Sequence, residues 1–208
     1  ISHDKNSSKI KGIYHLNSMS ETIECKLIKG KSKIFIRNGK KYKKFSDHIG
    51  LLPVVMISPS DIDLINEGSV NRRGFIDKLI SQSDKTYLKT LVDYTRLISQ
   101  RNSLLKNEIS EKIIKSTLEI YDDKLSIFGT KIYNTRKKYL SSFRPYFTKR
   151  YIQISGNVED VTIDYKSQLN CDLGFSELLK NSFEYDKKLM QSNVGVHRDD
   201  LIFKINGE

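Results

Sequence analysis

Residues 75–144 constrain the fold of this chain more than any other part of the sequence, because they contain no proline and a single glycine, Gly129. Residues 84–106 place apolar side chains on one helical face, and residues 110–144 place them at spacings of three and four. That spacing is close to a heptad seam, in which two helices pack side by side. We predict two long helices with a break at 107–110, which a short loop would make antiparallel neighbours.

The residues before this region have the period of β-strands. Residues 22–28 and 33–37 predict two strands, and an Asn-Gly pair at 38–39 is a strong signal for a hairpin turn into residues 40–45. The run 51–57 is short, apolar and rich in β-branched residues beside proline, which predicts a buried strand.

The C-terminal third mixes the two periods. Residues 158–165 and 201–205 predict strands, and residues 175–188 predict an amphipathic helix. The predicted fold class is therefore α+β, with an antiparallel β region and a helical domain that contains a long antiparallel hairpin.

The charge distribution favours a polyanionic partner. The chain has 36 Lys and Arg against 25 Asp and Glu, a net charge of +11, and residues 1–50 carry +8 of it. The acid-free segment 29–44 could follow a phosphate backbone, with Tyr42 as a stacking surface, or could be a solvated strand edge that lysines protect from aggregation. The candidate DNA contacts are Lys33, Arg37, Lys40, Lys41, Lys43 and Lys44.

Several classes of protein do not fit the sequence. No stretch approaches 18 apolar residues without a charge, and no apolar leader is visible, so we expect no membrane segment and a cytoplasmic location. Cys25 and Cys171 make neither a disulfide framework nor a metal site. No Ser-His-Asp or Cys-His arrangement has a recognisable local context, so a catalytic nucleophile has no support.

Four short blocks resemble the RecF family of bacterial recombinational repair proteins. LLPVVMISPSD at 51–61 resembles the family's LPVVLFSPEDL, and RRGFID at 72–77 its RRRFLD. QRNSLLK at 100–106 matches its QRNxLLK, and GVHRDDL at 195–201 is similar to its GPHRDDL. Four blocks in this order are far more specific than any one of them.

The resemblance implies an ABC-type, SMC-like ATPase head, with residues 1–57 and 191–208 as pieces of the head and 58–190 as a helical lid domain. The phosphate-binding G-x-x-x-x-G-K-[ST] string does not occur in the 208 residues, and the family places it before Ile1. The signature segment and the Mg²⁺-binding strand would follow Glu208. We therefore expect no cofactor and no ATP hydrolysis for these residues alone, whereas the intact family protein would use ATP and Mg²⁺ as a slow DNA-dependent ATPase.

The resemblance also implies partners. An intact RecF protein would bind single- and double-stranded DNA junctions, form an ATP-dependent dimer with a second copy, and help RecO and RecR load the recombinase at gaps. Two alternatives remain open: a free-standing basic nucleic-acid-binding module, or a helical-hairpin platform for protein partners without ATPase function. In the second case the outer hairpin surface would present a cluster of Tyr133, Arg136, Lys137 and Lys138.

Two polar motifs have competing interpretations. By resemblance Ser58 and Asp61 lie close to the nucleotide, but Ser-Pro-x-Asp also fits a turn in which the Asp caps a helix. Arg72 and Arg73 could contact a phosphate or a partner, since guanidinium groups suit anions. Alternatively they bond carboxylates across a domain joint, for which the candidates are Asp61, Asp63 and Asp77.

A third polar motif contains His197, Arg198 and Asp199 beside Asp200. A histidine with two carboxylates could ligate a divalent ion, but the chain offers no further ligands, so we expect no metal. By resemblance these residues are nucleotide-proximal. The other interpretation is a polar turn in which Arg198 pairs with a carboxylate.

Overall fold

The structure is a computed structural model that describes residues 4–16, 19–107 and 110–207. The chain forms two compact units, residues 1–54 and 55–208. The predicted α+β class is confirmed, because antiparallel sheets and long helices make up the structure.

The first unit is a four-stranded antiparallel sheet in the order β1-β2-β3-β4. Its strands are β1 Ser7–Leu16, β2 Met19–Ile28, β3 Ile34–Arg37 and β4 Lys40–Lys41. The Asn-Gly turn is confirmed, since Asn38 and Gly39 have φ angles of 47° and 80°, the left-handed conformation that a tight hairpin requires. β1 falls within the first fifty residues, which were predicted to be strands, but its bounds were not predicted because its apolar residues do not alternate. It pairs with β2 along its whole length.

The strand predicted at 51–57 is wrong. Among the described residues this segment pairs with no other strand, and the side chains of Val54 to Ile57 are 66–87% exposed. An apolar run becomes a strand only beside a neighbour that completes its hydrogen bonds, and Pro53 also lacks an N–H to donate.

The second unit contains the helices and a two-stranded sheet. The helices are α1 Asp63–Asn66, α2 Ser69–Ser83, α3 Lys85–Leu105, α4 Glu111–Ser155, α5 Phe175–Asn181 and α6 Phe183–Leu189. The strands are β5 Val161–Lys166 and β6 Asp200–Ile205, which pair in antiparallel register from Val161 opposite Ile205 to Lys166 opposite Asp200. The assignment of 1–57 and 191–208 to an ATPase head and 58–190 to a lid stays a prediction.

The two predicted long helices are confirmed as α3 and α4, which pack against each other. Asp84 caps α3 by accepting a hydrogen bond from the Tyr87 N–H at 2.9 Å. The predicted break at 107–110 includes residues 108 and 109, which lie outside the described residues. At Gly129, α4 lies close to both α5 and α3, because an added Cβ would lie 2.2 Å from the ring of Phe175 and 3.2 Å from that of Tyr94.

α4 continues eleven residues beyond its predicted end at 144. Pro145 lies inside the helix on an exposed position. A row of aromatic rings at four-residue spacing continues past it, with centroid distances of 5.9 Å from Phe143 to Phe147 and 6.3 Å from Phe147 to Tyr151. This packing offsets the hydrogen bond that the proline removes. The helix ends at Gly156, which has a left-handed φ of 71°.

The helix predicted at 175–188 is interrupted at Ser182. Its hydroxyl donates to the Leu179 carbonyl and contacts the Asp186 carboxylate, both at 3.0 Å, and the chain restarts there as α6. No helix in the described part of the chain has the length and apolar character to cross a membrane.

Candidate functional site

Polar residues from three of the four sequence blocks meet in the second unit, around the segment that leads into β6. The segment from Ser192 to Asp200 lies against α2, α3 and α4, and each of these helices contributes an arginine to it. The sequence separates these arginines from the segment by roughly 60 to 130 residues, so only the fold brings them together.

Arg136 of α4 is the centre of this junction and is only 2% exposed. Its guanidinium donates to both carboxylate oxygens of Asp77 at 3.0 and 2.9 Å, and to the Val196 carbonyl at 2.8 Å. A further bond of 3.1 Å reaches the carboxylate of Asp199. One side chain thereby joins α4, α2 and the segment before β6.

Two tyrosines complete the shell around the carboxylates. The hydroxyl of Tyr87 donates to Asp77, and that of Tyr165 donates to Asp199. Burial raises the pKa of both phenols, so they stay protonated donors. Burial also raises the pKa of Asp199, against the opposing effect of the donors around it.

The arginines of the second block bond the same segment. Arg72 donates to both carboxylate oxygens of Asp200 at 2.7 and 3.0 Å. Arg73 donates to the Asp199 carbonyl and, at 2.6 Å, to the Ser69 hydroxyl. The interpretation of Arg72 as bonded to a carboxylate fits the structure, but its partner is none of the three aspartates named from the sequence.

His197 is partly buried and uses both ring nitrogens. Its Nδ1 lies 2.9 Å from the hydroxyl of Tyr94, and its Nε2 lies 3.0 Å from the carbonyl of Ser192, which accepts. Burial lowers the pKa of His197 to about 4. The imidazole is therefore neutral near pH 7 and positions the segment.

The predicted pairing of Arg198 with a carboxylate is wrong within the described residues. Its guanidinium donates instead to the Ser192 carbonyl at 2.8 and 3.2 Å and to the side chain of Asn193 at 3.4 Å. The described residues contain no group of three or more His, Cys, Asp and Glu side chains that could hold a metal ion.

A second buried network lies around Arg101 of α3, whose side chain is 0% exposed. It donates to Asp122 at 2.7 Å, to Asp186 at 2.6 Å and to the Ser192 hydroxyl at 2.8 Å. Sequence reasoning missed these three charged residues as a group. Two features of the sequence could have indicated this network. Arg101 belongs to the QRN block, and Asp122 lies at a position of the buried, apolar face of α4.

Side chains also hold the backbone of the segment directly. The Ser192 N–H donates to the Asn102 side chain at 2.7 Å, and the Asn193 N–H to Asp186 at 2.9 Å. The Gly195 N–H donates to the Gln168 side chain at 3.1 Å. A segment with little regular structure is thus fixed by bonds from the elements around it.

The predicted turn is present, but its N-cap residue is Ser58, and Asp61 lies at the third position of the helical turn that follows. The Asp61 carboxylate accepts the Ser58 N–H at 2.7 Å, its own N–H donates to the Ser58 carbonyl at 3.0 Å, and the two residues form a capping box. Asp61 is exposed at this turn.

The basic candidates of the first unit are of two kinds. Arg37 donates from Nε to the Glu21 carboxylate at 2.9 Å and is bound a second time through Nη2, so its charge is neutralised in place. The exposed lysines of the set are Lys33, Lys40, Lys41, Lys43 and Lys44.

Tyr42, the predicted stacking surface, contacts a neighbouring ring. Its hydroxyl lies 3.2 Å from His48, and the two rings meet edge to face at 5.4 Å. Phe45 is 56% exposed beside them and was missed, because the lysines around it dominate the sequence pattern.

In the second unit, the outer cluster predicted on the hairpin is wrong for Arg136, because its side chain is buried. Lys137 and Lys138 of the same cluster are exposed.

The chain is similar to curated RecF proteins over its whole length. It is 42% identical over 207 residues to the DNA replication and repair protein RecF of Flavobacterium johnsoniae, which covers 99% of this chain and 57% of that protein. It is 39% identical over 207 residues to the protein of the same name from Parabacteroides distasonis, covering 100% of this chain and 56% of that one. The chain therefore spans a little over half the length of the curated relatives it matches, and no protein-family model matches it.

Two solved structures have the same fold over nearly all of this chain. The recombination mediator protein RecF with ATP, described as part of the RecFOR pathway, aligns with a TM-score of 0.89 at 30% identity, over 99% of this chain and 58% of that one. The corresponding structure described as RecF-ATPrS aligns with a TM-score of 0.85 at 31% identity. The alignment covers 100% of this chain and 58% of that one.

We predict that Arg136→Met destabilises the second unit by about 3–5 kcal/mol, because it leaves the buried carboxylate of Asp199 and the partly buried carboxylate of Asp77 without their cation. Urea unfolding followed by circular dichroism measures the free energy of unfolding. The matched control is Lys137→Met on the adjacent exposed position, for which a change within ~0.5 kcal/mol is expected. Equal effects of the two substitutions would show that the junction does not depend on Arg136.

We predict that the partly buried His197 makes the stability of the chain depend on pH. The pKa of His197 is about 4 in the folded chain and about 6.5 when unfolded, so the unfolded state binds more protons between these values. The contribution of His197 to the free energy of unfolding is fully present above pH 6.5. It is lost as the pH falls towards 4, and the total loss is ~3 kcal/mol.

Unfolding free energies of the chain and of His197→Asn, measured from pH 7 to pH 4, isolate this contribution. The slope of stability against pH is expected to be shallower in the variant, and His15→Asn, at an exposed position of β1, should leave the slope unchanged. Parallel profiles for the chain and His197→Asn would contradict the burial of a neutral imidazole.

Proposed function

The chain belongs to the RecF family, and on this premise we propose that it forms part of a DNA replication and repair protein that binds ATP and DNA. The observation that carries the proposal is the similarity, over 99% of this chain, to a recombination mediator RecF solved with ATP. The intact protein would act with RecO and RecR to load the recombinase at gaps, and would dimerise with a second copy when ATP is bound.

ATP and Mg²⁺ would require groups beyond those that these residues provide. The described part of the chain has no group of metal-ligating side chains, and its sequence has no phosphate-binding loop string. Mg²⁺ would neutralise the phosphates of a bound nucleotide. The residues of this chain that we propose lie nearest to the nucleotide are Ser58, which is half-buried, and Asp61, which is exposed.

His197, Arg198 and Asp199 would act at that site indirectly. Their polar atoms bond other parts of the same unit, so we assign them the role of positioning the backbone of the segment before β6. Arg136 of α4 bonds both this segment and α2, so a displacement of the segment would also displace the hairpin of α3 and α4. Coupling between nucleotide and hairpin would use this connection.

DNA would bind the exposed lysines of the first unit. Residues 1–50 carry +8 of the net charge of +11, and Lys33, Lys40, Lys41, Lys43 and Lys44 are exposed there. Lysines bind phosphates and release counterions, so such binding weakens steeply with salt. Arg37 would contribute less, since Glu21 already neutralises it.

We predict that Lys40→Ala/Lys41→Ala/Lys43→Ala/Lys44→Ala weakens binding of a short DNA duplex and makes the plot of log affinity against log salt less steep. The slope should fall by up to about 3.6, which corresponds to four phosphate contacts. Fluorescence anisotropy between 50 and 200 mM salt measures it.

The matched control removes the same charge elsewhere, at four exposed lysines of the second unit: Lys85→Ala, Lys89→Ala, Lys149→Ala and Lys188→Ala. If this control reduces affinity and slope as much as the first variant, DNA responds to net charge alone. The proposed location on the first unit would then be wrong.

A further inference from the structure

Three isoleucines form an exposed row along α4. Ile113, Ile120 and Ile127 are 55%, 61% and 54% exposed, and each follows the previous one by seven residues. At about 100° per residue they lie nearly opposite the buried side of the helix, which carries Ile114 and Leu125. The row extends about 21 Å at 1.5 Å per residue. A regular apolar row of this length is typical of a helix-packing seam.

A row of lysines runs beside the isoleucines at the same spacing. Lys124, Lys131 and Lys138 are exposed, and the first two follow Ile120 and Ile127 by four residues. Residues four apart are neighbours on a helix surface. In the described part of the chain none of the three lysines forms a salt bridge.

We propose that this face of α4, the isoleucine row with its lysine edge, is an interaction surface for an acidic amphipathic helix of a partner protein. The partner would place apolar side chains against the isoleucines and carboxylates against the lysines. Such pairing at the flanking positions sets the choice of partner in helix-on-helix interfaces. The inference does not rest on ATP or DNA binding.

Charge complementarity favours this occupant over two others. A second copy of the chain carries the same net charge of +11 and would bring lysine rows towards each other, which costs free energy. Nucleic acid would satisfy the lysines but leave the apolar row without an apolar partner. An acidic helix with apolar residues at heptad spacing satisfies both rows.

The test uses the whole chain and two synthetic four-heptad peptides as probes. Both have Leu at the a and d positions, and they carry Glu or Lys at e and g. Fluorescence anisotropy is expected to show saturable binding of the Glu peptide and no binding of the Lys peptide. Ile120→Ser should lower the affinity for the Glu peptide by at least about tenfold, which corresponds to the loss of one aliphatic contact.

The matched control is Ile154→Ser, on the same helix but about 40 Å along its axis from Ile127, at an 86% exposed position. It should leave binding unchanged. The charge-reversed variant Lys124→Glu/Lys131→Glu/Lys138→Glu should bind the Lys peptide in place of the Glu peptide. This reversal checks the proposal even if Ile120→Ser disturbs folding.

Four results would overturn the proposal. One is absence of Glu-peptide binding, and another is equal binding by Ile120→Ser and the unmodified chain. The third is a dimer in sedimentation equilibrium that Ile120→Ser dissociates, because the occupant would then be a second copy. If duplex DNA displaces the Glu peptide and its own affinity is insensitive to Ile120→Ser, the lysine edge serves nucleic acid and the proposal also fails.

Discussion

The guanidinium of Arg136 is the interaction on which the second unit most depends. It is almost fully buried, and it bonds Asp77 of α2, Asp199 and the backbone of Val196 at once. A buried cation is costly in isolation and is stable only when its donors are matched by carboxylates and carbonyls. The positions of α2, α4 and the segment before β6 are therefore fixed together.

Arg101 repeats this arrangement towards the other end of the segment, where it bonds Asp122, Asp186 and Ser192. Buried ion pairs of this kind give little net stability compared with apolar packing, because desolvation offsets their attraction. The stability comes from the apolar core to which α2, α3, α4, α5 and the two-stranded sheet all contribute. The arginines instead determine which arrangement the polar segment takes, and a missing partner at either network would leave a buried charge.

The sequence predicted the parts of the fold that depend on local periodicity. Hydrophobic periodicity and turn residues within short stretches of sequence predicted three features: α3, the two strands of the small sheet and the Asn-Gly turn. The run 51–57 was mistaken for a strand because its composition cannot reveal whether a pairing partner exists. α4 was predicted to end near Pro145, whereas packing of the aromatic row carries it further.

The candidate site was predictable only in its residue types. The blocks containing Arg72, Arg101 and Asp199 were recognised, but their mutual contacts span more than 60 residues of sequence. Arg136 was placed on the outer surface because arginines are mostly exposed, and its burial depends on two carboxylates that come from distant segments. Periodicity alone cannot distinguish a buried, paired arginine from a solvated one.

The central claim is that side chains of the surrounding helices fix the segment from Ser192 to Asp200. Native-state hydrogen exchange of its amides tests this most directly, since Ser192, Asn193 and Gly195 each donate to a side chain. The account predicts that these three amides exchange as slowly as those in the middle of α4, through opening of the whole second unit. Exchange at the rate of an exposed loop, while α4 stays protected, would contradict it.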